Sequence, residues 1–98
     1  MKHGFESVDP LIEKWASAYS LHLFKEEAVR YCYISGNQEC FQIVIRQPLS
    51  GRLIIEGFSI ETIEDEELHQ SWQVTVDGLS QGLEQALVAV EGWKRRRV

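Results

Sequence analysis

The chain has little of what most enzyme chemistry requires. Its 98 residues include two cysteines, two prolines and three histidines, and no apolar run approaches the ~18–20 residues that would span a bilayer. So few cysteines exclude a disulfide scaffold and fit a reducing compartment. His3, His22 and His69 are scattered, with no two-histidine helical pair and no Cys/His cluster, so no metal site is expected. His69 lies close to Ser71, but no glycine-rich elbow surrounds them, and such an elbow is what exposes a hydrolytic serine. No catalytic motif is found. The expectation is a protein that is not an enzyme and carries no cofactor.

Basic residues are also scarce where they would matter. Lys94, Arg95, Arg96 and Arg97 are four of the ten, so residues 1–93 combine six basic with fifteen acidic residues, a formal −9 inside a whole-chain −5. A body this negative repels nucleic acid phosphates and anionic membranes, so neither is an expected partner. The opening residues, Met1 to Glu6, lack the apolar stretch of a secretory signal, and a cytoplasmic location is expected.

What the chain does have is ordinary globular composition, 44% hydrophobic and 26% charged, which disfavours disorder. Its length suits a single domain over 1–98, burying about 65% of its unfolded surface. Residues 1–8 read as a loose lead-in. Asp9-Pro10 reads as a helix start, with Asp9 as cap and Pro10 at the first helical position. Leu11, Ile12, Trp15, Ala18 and Tyr19 then recur at three- and four-residue spacing, predicting a helix over 10–22.

From Glu27 the period changes to two. Runs over 28–35 and 39–47 flank Gly36-Asn37, a hairpin signal because both residues tolerate positive φ. Centring the turn there places Ile34 opposite Glu39 and Cys32 opposite Phe41. One face then carries Cys32, Ile34, Phe41, Ile43 and Ile45, a core set. The other carries Tyr31, Tyr33, Cys40, Gln42, Val44 and Arg46, an outer set. Cys32 and Cys40 thus fall on opposite faces, with Cys32 a buried hydrophobe and Cys40 the only plausible reactive thiol, lacking an activating partner.

Pro48 ends that strand and Leu49-Ser50-Gly51 turns the chain. A third strand over 52–60 should put Ile54, Phe58 and Ile60 on one side and Leu53 and Ile55 on the other, sharing the tyrosine face, with a bulge suggested at Gly57. A fourth runs over 70–77. Ser80 can cap a last helix whose stripe is Leu79, Leu83, Ala86, Leu87, Val90 and Trp93. Gly82 and Gly92 weaken that helix by roughly 1 kcal/mol each relative to Ala. Residues 94–98 form a basic tail. The expected architecture is α+β: helix, four-stranded antiparallel meander, helix, with both helices on one face. Trp15, Trp72 and Trp93 are its large core fillers.

Two features point to binding. Glu61, Glu64, Asp65, Glu66 and Glu67 crowd one seven-residue segment, which repels itself and offers a negative face to something basic. Tyr31 and Tyr33 form an aromatic strip on the outer sheet face, the kind of surface found at interfaces. Homodimerisation through that strip is the alternative reading.

Helix, strands, helix also describes the double-stranded RNA-binding domain, which grips phosphates with a basic start to its last helix. Here Ser80-Gln81-Gly82-Leu83-Glu84 has no cation, so that function is excluded on charge. In length, acidity, helix–meander–helix layout, acidic segment (Glu61–Glu67) and exposed tyrosines (Tyr31, Tyr33), the chain resembles small bacterial immunity proteins, which neutralise a cognate toxin. The resemblance implies a mode of action. Acidic side chains mimic the phosphates that a basic toxin, such as a nuclease, would bind, and charge complementarity speeds association.

Overall fold

The computed structural model describes residues 4–36, 39–60 and 68–96. Two helices and five strands follow in the order α1 (Asp9–Ala18), β1 (Phe24–Glu26), β2 (Val29–Ser35), β3 (Cys40–Arg46), β4 (Arg52–Ser59), β5 (His69–Thr75) and α2 (Leu79–Arg96). The class is α+β, as expected from the periodicities. The sheet is an antiparallel meander in the order β1-β2-β3-β4-β5, so it holds five strands rather than the expected four. The additional strand, β1, is three residues long and returns directly as β2. A run that short shows no alternation for pattern reading to detect.

Residues 5–8 are not loose. Phe5 and Val8 are fully buried, and a turn there is closed by Val8 and Asp9 N–H donating to the Phe5 carbonyl. Helix α1 stops at Ala18, short of the expected position 22. Ser20 adopts φ 57°, Leu21 N–H donates to Ala16 O and Ser20 N–H to Ser17 O. This is a Schellman close, with a serine in the left-handed position that usually falls to glycine. The buried face of α1 is Ile12, Trp15 and Ala16, whereas Leu11 and Tyr19 are exposed.

Asp9 does not cap α1. The capping position is Val8, which makes no side-chain bond. Asp9 instead turns its carboxylate to Arg30 of β2, receiving Nε–H at 2.8 Å and Nη2–H at 3.1 Å. Arg30 is 4% exposed. Its guanidinium also lies over the Phe5 ring, 4.1 Å from the centroid, and donates to the Val29 and Glu26 carbonyls. A buried charge is tolerable only with such full pairing, and here it ties the start of α1 to the sheet.

The β2–β3 turn spans four residues, with Ser35 opposite Cys40 and Ile34 opposite Phe41. The expected pairing is therefore off by two residues. Because side chains alternate with period two, a slip of two leaves both faces intact. Cys32, Ile34, Phe41, Ile43 and Ile45 are buried as expected. The β3–β4 turn places Ser50 (φ 55°) and Gly51 (φ 76°) between Leu49 and Arg52, which exchange backbone hydrogen bonds in both directions. Two successive left-handed residues match the right-handed twist of the flanking strands.

The expected faces of β4 are exchanged. Ile45 pairs with Ile55 and Ile43 with Gly57 in an unbroken register, so no bulge occurs at Gly57. Leu53 and Ile55 belong to the core at 1% and 0% exposure, while Ile54 points outward at 42%. Gly57 lies beneath α2, where an added Cβ would come 3.0 Å from Val90 Cγ2.

On β5, Trp72 and Val74 are half-buried against the core. Helix α2 packs on β3, β4 and β5, and α1 packs on α2. All six apolar residues expected on the α2 stripe are buried. Gly78 O accepts the first helical bond from Gly82 N–H, and Gly78 N–H donates to Thr75 Oγ1 at 3.3 Å. Gly78 therefore holds the capping position, Thr75 supplies the hydroxyl, and Ser80 falls inside the first turn.

Candidate protein-binding face

The sheet face opposite α2 is built by alternation. Strand pairing brings Phe24, Tyr31, Val44, Glu56 and Ser71 into one row across all five strands, with Tyr33, Gln42, Phe58 and His69 in the next. Tyr31 and Tyr33 therefore stand together, as their spacing predicts. The structure adds two rings to them. Phe24 stacks on Tyr31 at 5.1 Å with 11° between planes, and Tyr33 meets both edge-on at 5.7 Å. His22 in turn sits 4.6 Å from Phe24. Phe24 is 37% and Tyr33 43% exposed, so the cluster presents aromatic surface to solvent. Sequence reasoning missed Phe24 and His22 because they lie on, or just before, the strand it missed.

Tyr31 donates its hydroxyl to Glu26 Oε2 at 2.9 Å. That bond, with lesser effects of desolvation and of the nearby Glu26 charge, raises the Tyr31 pKa above its ordinary value of 10.0. The phenol thus stays protonated and holds a carboxylate at the rim of the cluster.

The middle of the face is a paired charge line. Glu56 on β4 accepts from Arg46 Nε at 2.8 Å, and its other oxygen lies 3.6 Å from His69 Nε2. Val44, directly beside it in the pairing, is only 8% exposed. At the β3–β4 end, a cleft of about 550 Å³ is lined by Arg46, Gln47, Leu49, Ser50, Arg52, Ile54 and Gln73. Leu53 and Ile55, expected on this face, are absent from it because the β4 register buries them.

Glu61, Glu64, Asp65, Glu66 and Glu67 lie outside the described residues. Among the described residues, no three His, Cys, Asp or Glu side chains gather to hold a metal ion. Cys32 is a free, buried thiol. Burial pushes the Cys32 thiol up to about 12, leaving it inert as a nucleophile at neutral pH. Among the described residues, no helix is long and apolar enough to cross a membrane. No family model, curated protein or solved structure matches this chain.

Proposed function

We propose that the chain is a non-catalytic binding module that acts in the cytoplasm and captures a basic protein partner, a toxin nuclease being the kind of target its resemblance to immunity proteins implies. With both helices on the same side of the sheet, the opposite face is left open for docking. The observation that carries the reading is the exposed Phe24–Tyr31–Tyr33 cluster with Glu26 hydrogen-bonded at its edge. Rigid aromatics supply contact area at low entropic cost, and surrounding carboxylates select a cationic partner and speed its approach. The Glu61–Glu67 segment supplies five more negative charges.

The test compares three immobilised baits in the source-cell extract: the native chain, a Glu64→Lys/Asp65→Lys/Glu66→Lys variant, and a Tyr31→Ser/Tyr33→Ser variant. The native bait should retain a protein of high isoelectric point that both variants lose, with unchanged circular dichroism. Equal retention by all three, or an association rate at low salt that charge reversal leaves unchanged, would defeat the proposal. A second reading is a structural or assembly subunit that homodimerises through the same face, supported by the exposure of Phe24 and Tyr33 on it. Light scattering separates the two, because a stable dimer lost in the tyrosine variant supports the second.

A further inference from the structure

The cleft at the β3–β4 turn reverses the charge balance of the chain. Fifteen acidic residues outnumber ten basic ones, yet among the described residues no Asp or Glu lines this cleft and two arginines do. The charge of Arg46 is already balanced, because Glu56 Oε1 accepts from Nε at 2.8 Å and lies 2.7 Å from Nη2. That pairing also holds the guanidinium in place. Arg52 is different. Its guanidinium has no hydrogen-bond or ion-pair partner among the described residues. The lining therefore carries one uncompensated positive charge.

The backbone sets the rest of the lining beside that charge. Ser50 and Gly51, both left-handed, close a two-residue turn across which Leu49 and Arg52 exchange hydrogen bonds. Leu49 and Arg52 thus stand directly opposite each other, with their side chains on one face. Ile54 follows Arg52 on the same face by alternation, and Gln73 of β5 is its cross-strand partner. Leu49 is 77% exposed, the most of any large hydrophobic residue described, and Ile54 shares the cleft with it. The amides of Gln47 and Gln73 and the hydroxyl of Ser50 add neutral hydrogen-bonding groups. An apolar wall with a few converging polar groups is the make-up of a small-molecule site, and a volume of about 550 Å³ suits one.

We propose that this cleft binds a small organic monocarboxylate with an apolar body. The carboxylate receives paired N–H bonds from the planar fork of Arg52, and the hydrocarbon covers Leu49 and Ile54. Charge decides the class. One net positive charge matches a monoanion, whereas a phosphate dianion would keep half its charge unmatched. A cationic ligand would meet two guanidinium groups and no carboxylate on the lining. The cleft belongs to β3, β4 and β5, whereas the aromatic cluster belongs to β1 and β2, so the proposal stands apart from the capture of a basic protein.

The test is a two-dimensional amide NMR titration of the native chain with octanoate, octanamide, octylamine, acetate and inorganic phosphate. Octanoate should shift Gln47, Leu49–Arg52, Ile54 and Gln73 saturably. Octanamide, which lacks the charge, and acetate, which lacks the body, should each bind about tenfold more weakly. Phosphate and octylamine should leave these resonances in place. Arg52→Gln should weaken octanoate about tenfold and Leu49→Ser about threefold, and both positions are exposed, so the spectra elsewhere should match the native chain. Octanamide, phosphate or octylamine binding as well as octanoate overturns the proposal. So does an Arg52→Gln variant that binds octanoate as the native chain does. Shifts led by Lys94 and Arg95 or by the aromatic cluster, cleft resonances that move with protein concentration alone, or no shift at all overturn it equally.

Discussion

Two glycines in α2 should respond to the same substitution with opposite sign. An alanine gains about 1 kcal/mol over glycine within a helix, because the unfolded chain loses freedom and the helix gains a methyl. At Gly92 an added Cβ meets nothing within 4 Å, so Gly92→Ala should realise that gain in full. At Gly82 the Cβ would fall 2.7 Å from Val74 Cγ1 and 3.1 Å from Ile55 Cδ1. Ile55 is fully buried on a central strand and cannot retreat. Overpacking of this kind costs roughly 1–3 kcal/mol, so the net effect of Gly82→Ala is a loss of about 1 kcal/mol. The two variants should therefore differ by about 2 kcal/mol in urea unfolding. In a domain of this size that corresponds to melting temperatures on opposite sides of the native value, separated by roughly 8–16 °C. Equal stabilisation by both would mean that α2 does not approach β4 and β5 as closely as described.

Removing the carboxylate in Asp9→Ala leaves Arg30 charged and 4% exposed, which should cost roughly 3 kcal/mol. Adding Arg30→Met should recover at least half of that loss, and simple additivity in denaturant unfolding would refute the coupling. Ser20→Gly should stabilise by about 1 kcal/mol by relieving the left-handed φ of 57°, and a neutral or negative change in thermal unfolding would refute the Schellman reading. Cys32 should resist alkylation at pH 8 in the native state and react on unfolding. Its unfolded thiol ionises near 9 and its folded thiol only near 12, so stability should fall progressively as pH rises across that interval, a slope that Cys32→Ala should reduce but not remove, since Tyr31 is also raised. A native Cys32 that reacts as fast as a free thiol would contradict its burial.

The sequence carried the period of each element more faithfully than the pairing between elements. The faces of β2 and β3 were legible because a two-residue slip cannot exchange them. The face of β4 was not, because Leu53, Ile54 and Ile55 are consecutive apolar residues, and alternation cannot choose between the two settings of such a run. The choice came from β3, through Ile45 opposite Ile55, a non-local constraint. Strand β1 was illegible for the opposite reason, since three residues between His22 and a charged turn carry no period at all. The tyrosine half of the aromatic cluster could therefore be read in advance, and the Phe24 half could not.

Arg30 was visible in principle. It stands two residues before Cys32 and so belongs to the apolar face by simple alternation, where an unpaired guanidinium could not remain. Any chain that places an arginine there must bring a carboxylate to it, and Asp9, at the head of an amphipathic helix, was available. The consequence bears on how the aromatic cluster is kept exposed. The ion pair fixes the start of α1 to β2, and α1, in contact with α2, buries Ile12, Trp15 and Ala16. If α1 were released, an exposed aromatic cluster would be an apolar surface open for it to cover. Asp9→Ala should therefore lower the solvent exposure of Tyr31 and Tyr33 in whatever folded population survives, read as reduced nitration of those tyrosines by a soluble reagent. Unchanged nitration in a folded Asp9→Ala protein would show that the ion pair stabilises the fold without deciding which face stays bare.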